Sequence, residues 1–179
     1  PETIIRIEEG AFSHSALESI SVPDNVTEIG KEAFLNTPSL KEVNLGNGLT
    51  TIGYEAFRDC VNLAEIKIPN SVTKIDNYAF NKCTNLSNVV LSKELVTLGK
   101  YAFEECVSLE NIEIPKSLTD SQGTLVYQSN ESYYATGPFS KCSSLSKVTF
   151  EEGTQVIAPY LFANCTGLKR ITIPETIIR

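Results

Sequence analysis

The chain has 179 residues, a net charge of −7, one His, five Cys and neither Trp nor Met. The acidic balance excludes the basic stripe that a nucleic-acid backbone selects, one His removes the catalytic and metal schemes built on His pairs, and no apolar run approaches the roughly 18 to 20 residues of a membrane helix. The length suits one domain or one continuous repeat array; Pro1 and the lack of Met read as a mature, trimmed or excised segment, with no signal peptide visible.

From the N-terminus onward the chain repeats itself. The motif A-F-x-x-C places Phe at Phe12, Phe34, Phe57, Phe80, Phe103, Phe139 and Phe162, with spacings of 22, 23, 23, 23, 36 and 23. Three residues later come Cys60, Cys83, Cys106, Cys142 and Cys165, while the first two repeats carry Ser15 and Thr37 there. A Leu follows, then an apolar pair such as Ile20/Val22, Val43/Leu45, Ile66/Ile68 or Ile112/Ile114. Pro23, Pro69, Pro115 and Pro174 close four of these segments, and V-x-x-I with Gly ends the unit, as in Val26, Ile29 and Gly30.

L-x-x-I-x-I ends in period-two alternation, so it predicts a short strand with one buried face. Pro has no N–H for a ladder and turns the chain. V-x-x-I predicts a second, flatter side. The apolar positions three apart in A-F-x-x-C-x-x-L suit a 3₁₀ segment or a single α-turn. One 23-residue unit cannot bury its own inward residues. Stacking places each Phe, Cys, Leu and Ile on its copy about 4.8 Å away, and burial supplies about 25 cal/mol per Å². The expected fold is an α/β repeat: a right-handed solenoid with a parallel sheet on the concave face and short turns or 3₁₀ segments on the convex face. It spans residues 1–179 as about seven repeats with no obvious capping repeat.

The pattern L-x-x-I-x-I-P-x-x-V-x-x-I-G-x-x-A-F-x-x-C resembles the BspA-like leucine-rich repeat of bacterial and protist surface proteins, and residues 61–83 carry every motif position. The resemblance implies a non-enzymatic adhesion or protein-binding module, on a cell surface or secreted, with a host matrix or plasma protein as partner. It names no cofactor. A structural spacer array and a carbohydrate-binding module are the other readings. Gly46 and Ser92 replace Pro in two turns, a local departure from the pattern.

The odd number of Cys at the repeat period reads as a buried ladder of free thiols. A pair such as Cys60–Cys83 or Cys142–Cys165 is the alternative, with poor geometry because stacked Cβ vectors run parallel. His14, at a repeat position without Cys, reads as an exposed turn residue.

Phe103 to Phe139 spans 36 residues instead of 23, so 13 are extra, within 116–137. This stretch carries Tyr127, Tyr133 and Tyr134 among Ser, Thr, Gln and Asn. Insertions in solenoids map to one face and often bind, and Tyr is a rigid amphipathic contact. The alternative is that these Tyr cover an apolar edge or form a small hairpin. Asn130, in an N-x-S/T sequon, is the best exposed of four such matches. On the strands, the outward positions Glu65, Lys67, Asn88, Val90, Asn111 and Glu113 form a contiguous candidate surface for a protein or glycan. PETIIR occurs at 1–6 and again at 174–179. Neither end looks like a polar cap, which allows copies to stack head to tail.

Overall fold

The computed structural model describes residues 3–127 and 133–177. It is a parallel β-solenoid. The V-x-x-I segments give β1 (Arg6–Ile7), β3 (Glu28–Ile29), β5 (Thr51–Ile52), β7 (Lys74–Ile75), β9 (Thr97–Leu98) and β11 (Asp120–Ser121), six parallel strands in one continuous sheet. Its register puts Ile7 on Ile29, Ile29 on Ile52, Ile52 on Ile75 and Ile75 on Leu98, like upon like. Each step is one coil, so the chain always re-enters in the same direction and the pairing must be parallel.

The L-x-x-I-x-I segments give β2 (Ser19–Ser21), β4 (Glu42–Asn44), β6 (Glu65–Lys67), β8 (Asn88–Val90), β10 (Asn111–Ile114) and β14 (Lys147–Phe150). These pair only in twos, β2 with β4, β6 with β8 and β10 with β14, always parallel. The single sheet expected on this flank is therefore interrupted between β4 and β6 and between β8 and β10. The unbroken ladder belongs to the shorter strands. The insertion forms an antiparallel hairpin of β12 (Thr124–Tyr127) and β13 (Tyr133–Thr136). The last apolar pair of the repeat, Ile171 and Ile173 before Pro174, forms no strand; both side chains are exposed.

The third flank corrects the sequence reading. Among the described residues there is no helix, so the α part of the expected α/β repeat is not there. The reason lies in where the N–H groups go. Ala56, Arg58 and Cys60 donate within their own coil to Gly53, Glu55 and Phe57, while Glu55, Phe57 and Asp59 donate to Asn77, Ala79 and Asn81 of the next. Alternate peptides thus point along the solenoid axis. A helix would keep every N–H inside one coil and leave neighbouring coils unjoined. Flipping alternate peptides needs left-handed residues, and Glu55 (φ 54°), Asp59 (φ 60°), Tyr78 (φ 59°), Lys82 (φ 59°), Tyr101 (φ 60°) and Glu105 (φ 60°) supply them. Gly10 takes the same position in the first coil without the steric cost.

Inside, the seven Phe rings form one column. Consecutive centroids lie 5.2, 4.9, 5.1, 5.1, 5.3 and 5.7 Å apart and the rings are stacked. Phe34 to Phe139 are fully buried, whereas Phe12 at one end is 36% exposed. Beside them run the Cys residues, all free thiols. Each of the first four donates its S–H to the Phe carbonyl of the coil before: Cys60 to Phe34 (3.2 Å), Cys83 to Phe57 (3.2 Å), Cys106 to Phe80 (3.3 Å) and Cys142 to Phe103 (3.1 Å). Thr37 shows what the position requires, because its Oγ1 donates to the Phe12 carbonyl at 3.0 Å. The ladder needs a small side chain with one donor, and thiol or hydroxyl serves.

Candidate functional site

The alternation that buries Ile66, Val89 and Ile112 turns Glu65, Lys67, Asn88, Val90, Asn111 and Glu113 outward, and all six are exposed on one flank. Two clefts cross the stretch of this flank from β4 to β10, and each spans a step where the ladder is open. One, of about 430 Å³, lies over β4, β6 and β8 and is lined by Glu42, Asn44, Glu65, Lys67, Asn88 and Val90. The other, of about 220 Å³, lies between β8 and β10; Asn88, Val90, Asn111 and Glu113 line it with Leu91, Lys93, Pro115 and Glu151. Asn88 and Val90 are the wall shared by both. Val90, at 46% exposure, is an apolar side chain held in water between them.

Four charges on this flank stand apart from the ion pairs that gather on the turn flank. Glu42, Glu65, Lys67 and Glu113 make no ion pair among the described residues, whereas on the turn flank Lys31 and Lys141 tie one coil to the one before. Lys31 bridges Glu9 (2.7 Å) and Glu32 (3.2 Å), Arg58 bridges Glu55 (2.7 Å), and Lys141 bridges Glu104 (2.9 Å) and Glu105 (3.0 Å). Hydrogen bonding to Glu104 and then Glu105 raises the Lys141 pKa. At the end of the smaller cleft, the Lys116 N–H donates to Glu151 Oε2 at 3.1 Å, and this bond holds the Glu151 carboxyl below its ordinary pKa.

The insertion does not join this surface. Its hairpin leaves the coil after β11, between the six-stranded sheet and the Phe turns. Gly123 and Gly137 flank it, and a Cβ on either would overlap Tyr160. Tyr134 is 40% exposed and Leu125 is exposed beside it in sequence register with Ala135. The side chains of Tyr127 and Tyr133, and Asn130 altogether, lie outside the described residues. His14 is an exposed turn residue, its Nδ1 2.9 Å from Asn36 Nδ2.

Sequence reasoning passed over two features. Tyr54 and Tyr78 meet edge to face at 5.9 Å, Tyr78 and Tyr101 are tilted at 4.9 Å, and Lys100 Nζ sits 4.9 Å over the Tyr101 ring. In the sequence the three tyrosines of the insertion likewise fall between β11 and Phe139, and Tyr160 precedes Phe162. The signal was a Tyr two or three residues before successive Phe. The second feature is the contribution of Lys93 and Glu151 to the smaller cleft; these lie past the strand ends, where no motif position marks them.

Among the described residues no group of three or more His, Cys, Asp or Glu could hold a metal ion. No helix there is long and apolar enough to cross a membrane.

The model of the BspA type leucine rich repeat region matches residues 5–133 and 133–179 in six copies. Among solved structures, a Treponema pallidum leucine-rich repeat protein is 26% identical with a TM-score of 0.74, over 92% of this chain and 72% of that one. A leucine-rich cell surface protein of Faecalibacterium prausnitzii is 26% identical with a TM-score of 0.59, over 94% and 51%. The pneumococcal vaccine antigen PcpA is 25% identical with a TM-score of 0.55, over 97% and 44%. The chain thus spans about half the length of the last two. No curated protein matches significantly.

Proposed function

Because the chain belongs to the BspA-type leucine-rich repeat family, we propose that it is a non-enzymatic binding module of a cell-surface or secreted protein, recognising a macromolecule through the flank that carries β4 to β10. The carrying observation is the contrast between flanks. Where Lys31 and Lys141 on the turn flank bridge neighbouring coils, Glu42, Glu65, Lys67 and Glu113 make no ion pair, and Val90 among them is exposed. A stacked array gives such a surface its breadth, since each coil adds one more row. The surface location is supported by the cell surface protein and the vaccine antigen among the structural neighbours.

The test is binding to immobilised extracellular-matrix and plasma proteins. The double variant Glu65→Lys, Val90→Glu is expected to weaken binding about tenfold or more, with an unfolding midpoint close to the parent's because both side chains are exposed. Removal of residues 119–136, or Tyr134→Ala, measures the hairpin's share. A spacer array would show no binding for any variant to weaken.

The same proposal includes head-to-tail association of copies, since Ile4 and Ile5 in the first described coil and Ile171 and Ile173 in the last are exposed. Sedimentation is expected to show a concentration-dependent rise in mass that Ile5→Glu abolishes. A constant monomer mass would end this part of the reading.

A further inference from the structure

We infer that β14 and the coil after it form a site for an anionic saccharide, beyond the stretch from β4 to β10. Two clefts lie there, of about 390 and about 560 Å³, each in the size range of small-ligand sites, about 300 to 1,000 Å³. The first is lined by Lys147, Thr149, Phe150 and Thr172, with Val148, Ile171 and Pro174 as apolar wall. The second is lined by Ser143, Ser144, Thr166, Gly167 and Lys169. Ser146 and Arg170 belong to both, so the clefts share a wall.

Charge sets the sign of the occupant. Lys147, Lys169 and Arg170 line these clefts, and among the described residues no carboxylate does. None of the three cations makes an ion pair among the described residues. The acids around them stand outside the lining. Glu110 and Glu113 belong to the coil before, where the Glu110 carbonyl accepts from the Ser146 N–H and Glu113 is in register with Thr149. Glu151, past β14, is bonded to Lys116, and the exposed Glu152 and Glu175 line neither cleft. The outward phase that carries Glu42 and Glu65 early in the array carries Lys147 and Arg170 late. An acidic chain thus gathers unpaired positive charge at one place, and such a focus attracts a polyanion.

Phe150 and the hydroxyls favour a sugar over an acidic peptide. Phe150 is the one Phe off the ring column, and it is half-buried in the first cleft. Other coils have an aliphatic residue at this position: Leu45, Ile68, Leu91 and Ile114. An aromatic side chain offers an apolar body for the C–H face of a sugar ring. The hydroxyls of Ser143, Ser144 and Thr166 make no hydrogen bond among the described residues and can donate to or accept from sugar hydroxyls. An acidic peptide would add its backbone to a strand edge, and residues 170–173 form no strand for it to pair with.

The probes are a heparin-derived hexasaccharide, a hyaluronan hexasaccharide, neutral chitohexaose and a hexaglutamate peptide, followed by amide chemical shifts and fluorescence anisotropy. The heparin fragment is expected to bind and to shift Ser146, Lys147, Phe150 and Arg170, while chitohexaose and hexaglutamate leave them. Binding of the heparin fragment alone supports the inference with sulfate as the recognised group; equal binding by hyaluronan supports it with the carboxylate. The double variant Lys147→Gln, Arg170→Gln is expected to weaken the heparin fragment about tenfold or more. Phe150→Leu is expected to weaken it about threefold, with the fold kept because Leu45 and Leu91 already fill this position. Lys41→Gln, on an exposed cation that lines neither cleft, should change nothing. Equal binding by hexaglutamate or chitohexaose, no shift at these residues, or indifference to the double variant or to Phe150→Leu each overturns the inference. Glu65→Lys, Val90→Glu lies outside these clefts and should leave the heparin fragment bound as before, so the failure of either surface leaves the other standing.

Discussion

Phe80→Ala is expected to cost about 3–5 kcal/mol of folding stability, read as a lower midpoint of urea unfolding followed by circular dichroism. The ring is fully buried and stacks on Phe57 and Phe103 at 5.1 Å on both sides. Its backbone is held as well: the Phe80 N–H donates to Ala102 of the next coil, and its carbonyl receives the Cys106 thiol. The surrounding coils cannot close the gap, because their spacing is set by the sheets and by the axial hydrogen bonds. Truncation therefore leaves a cavity bounded by two ring faces. In a one-dimensional array stability is a sum of units and nearest-neighbour interfaces, and Phe80 takes part in two of those. Phe12→Ala removes only the interface with Phe34, from a ring already 36% exposed, so its loss should be roughly half as large. Equal losses at the two positions would remove the column as the source of the stability.

The column was legible because period and chemistry coincide: the Phe, Cys and Leu positions recur together, and only stacking buries them all. The flatter side was legible for the same reason, from V-x-x-I. The turn flank was not. Apolar residues three apart serve equally a helix that keeps its N–H groups and a chain of turns that gives every second one to its neighbour. The distinguishing residues, Glu55, Asp59, Tyr78 and Lys82, are poor left-handed formers apart from Asp59, so composition argued the other way. The pairing of β2 to β14 in twos had no signal at all, since L-x-x-I-x-I reads alike in every repeat. The outward residues could be named from alternation, but the clefts among them depend on which steps open. The hairpin was one of the alternatives for the insertion, and its signal is that T-L-V-Y and Y-Y-A-T are β-rich runs bounded by Gly123 and Gly137. Its strands suit a ladder better than a loop.

The thiol ladder makes the protein sensitive to alkali. Burial pushes Cys60 from its ordinary 9.0 up to about 12, and burial raises Cys83, Cys106 and Cys142 in the same direction. In the unfolded chain these groups lose their protons near pH 9. Below that, both states hold the proton and the full stability is present. As pH rises from about 9 through about 12, the unfolded state sheds protons that the folded state keeps, and stability falls by about 1.4 kcal/mol per pH unit for each such thiol. Tyr54, bonded to Glu55, and the partly buried Tyr78 add to the fall at higher pH. Unfolding measured between pH 7 and 11 is expected to steepen above pH 9. Cys83→Ser, Cys106→Ser should lose the slope of two thiols, because a hydroxyl does not titrate there. The variant should still fold, since Thr37 already fills this position with a hydroxyl donor. Reactivity follows the same logic. The thiolate is the nucleophile, and a thiol pushed up to about 12 by burial leaves Cys60 roughly a thousandfold less of it at neutral pH. A thiol reagent at pH 8 should label Cys165 first, half-buried and only loosely bonded to the Cys142 carbonyl at 3.7 Å. Rapid labelling of all five Cys in the folded protein, or an alkaline slope unchanged in the double variant, would mean that the thiols are not the packed donors that join each coil to the one before.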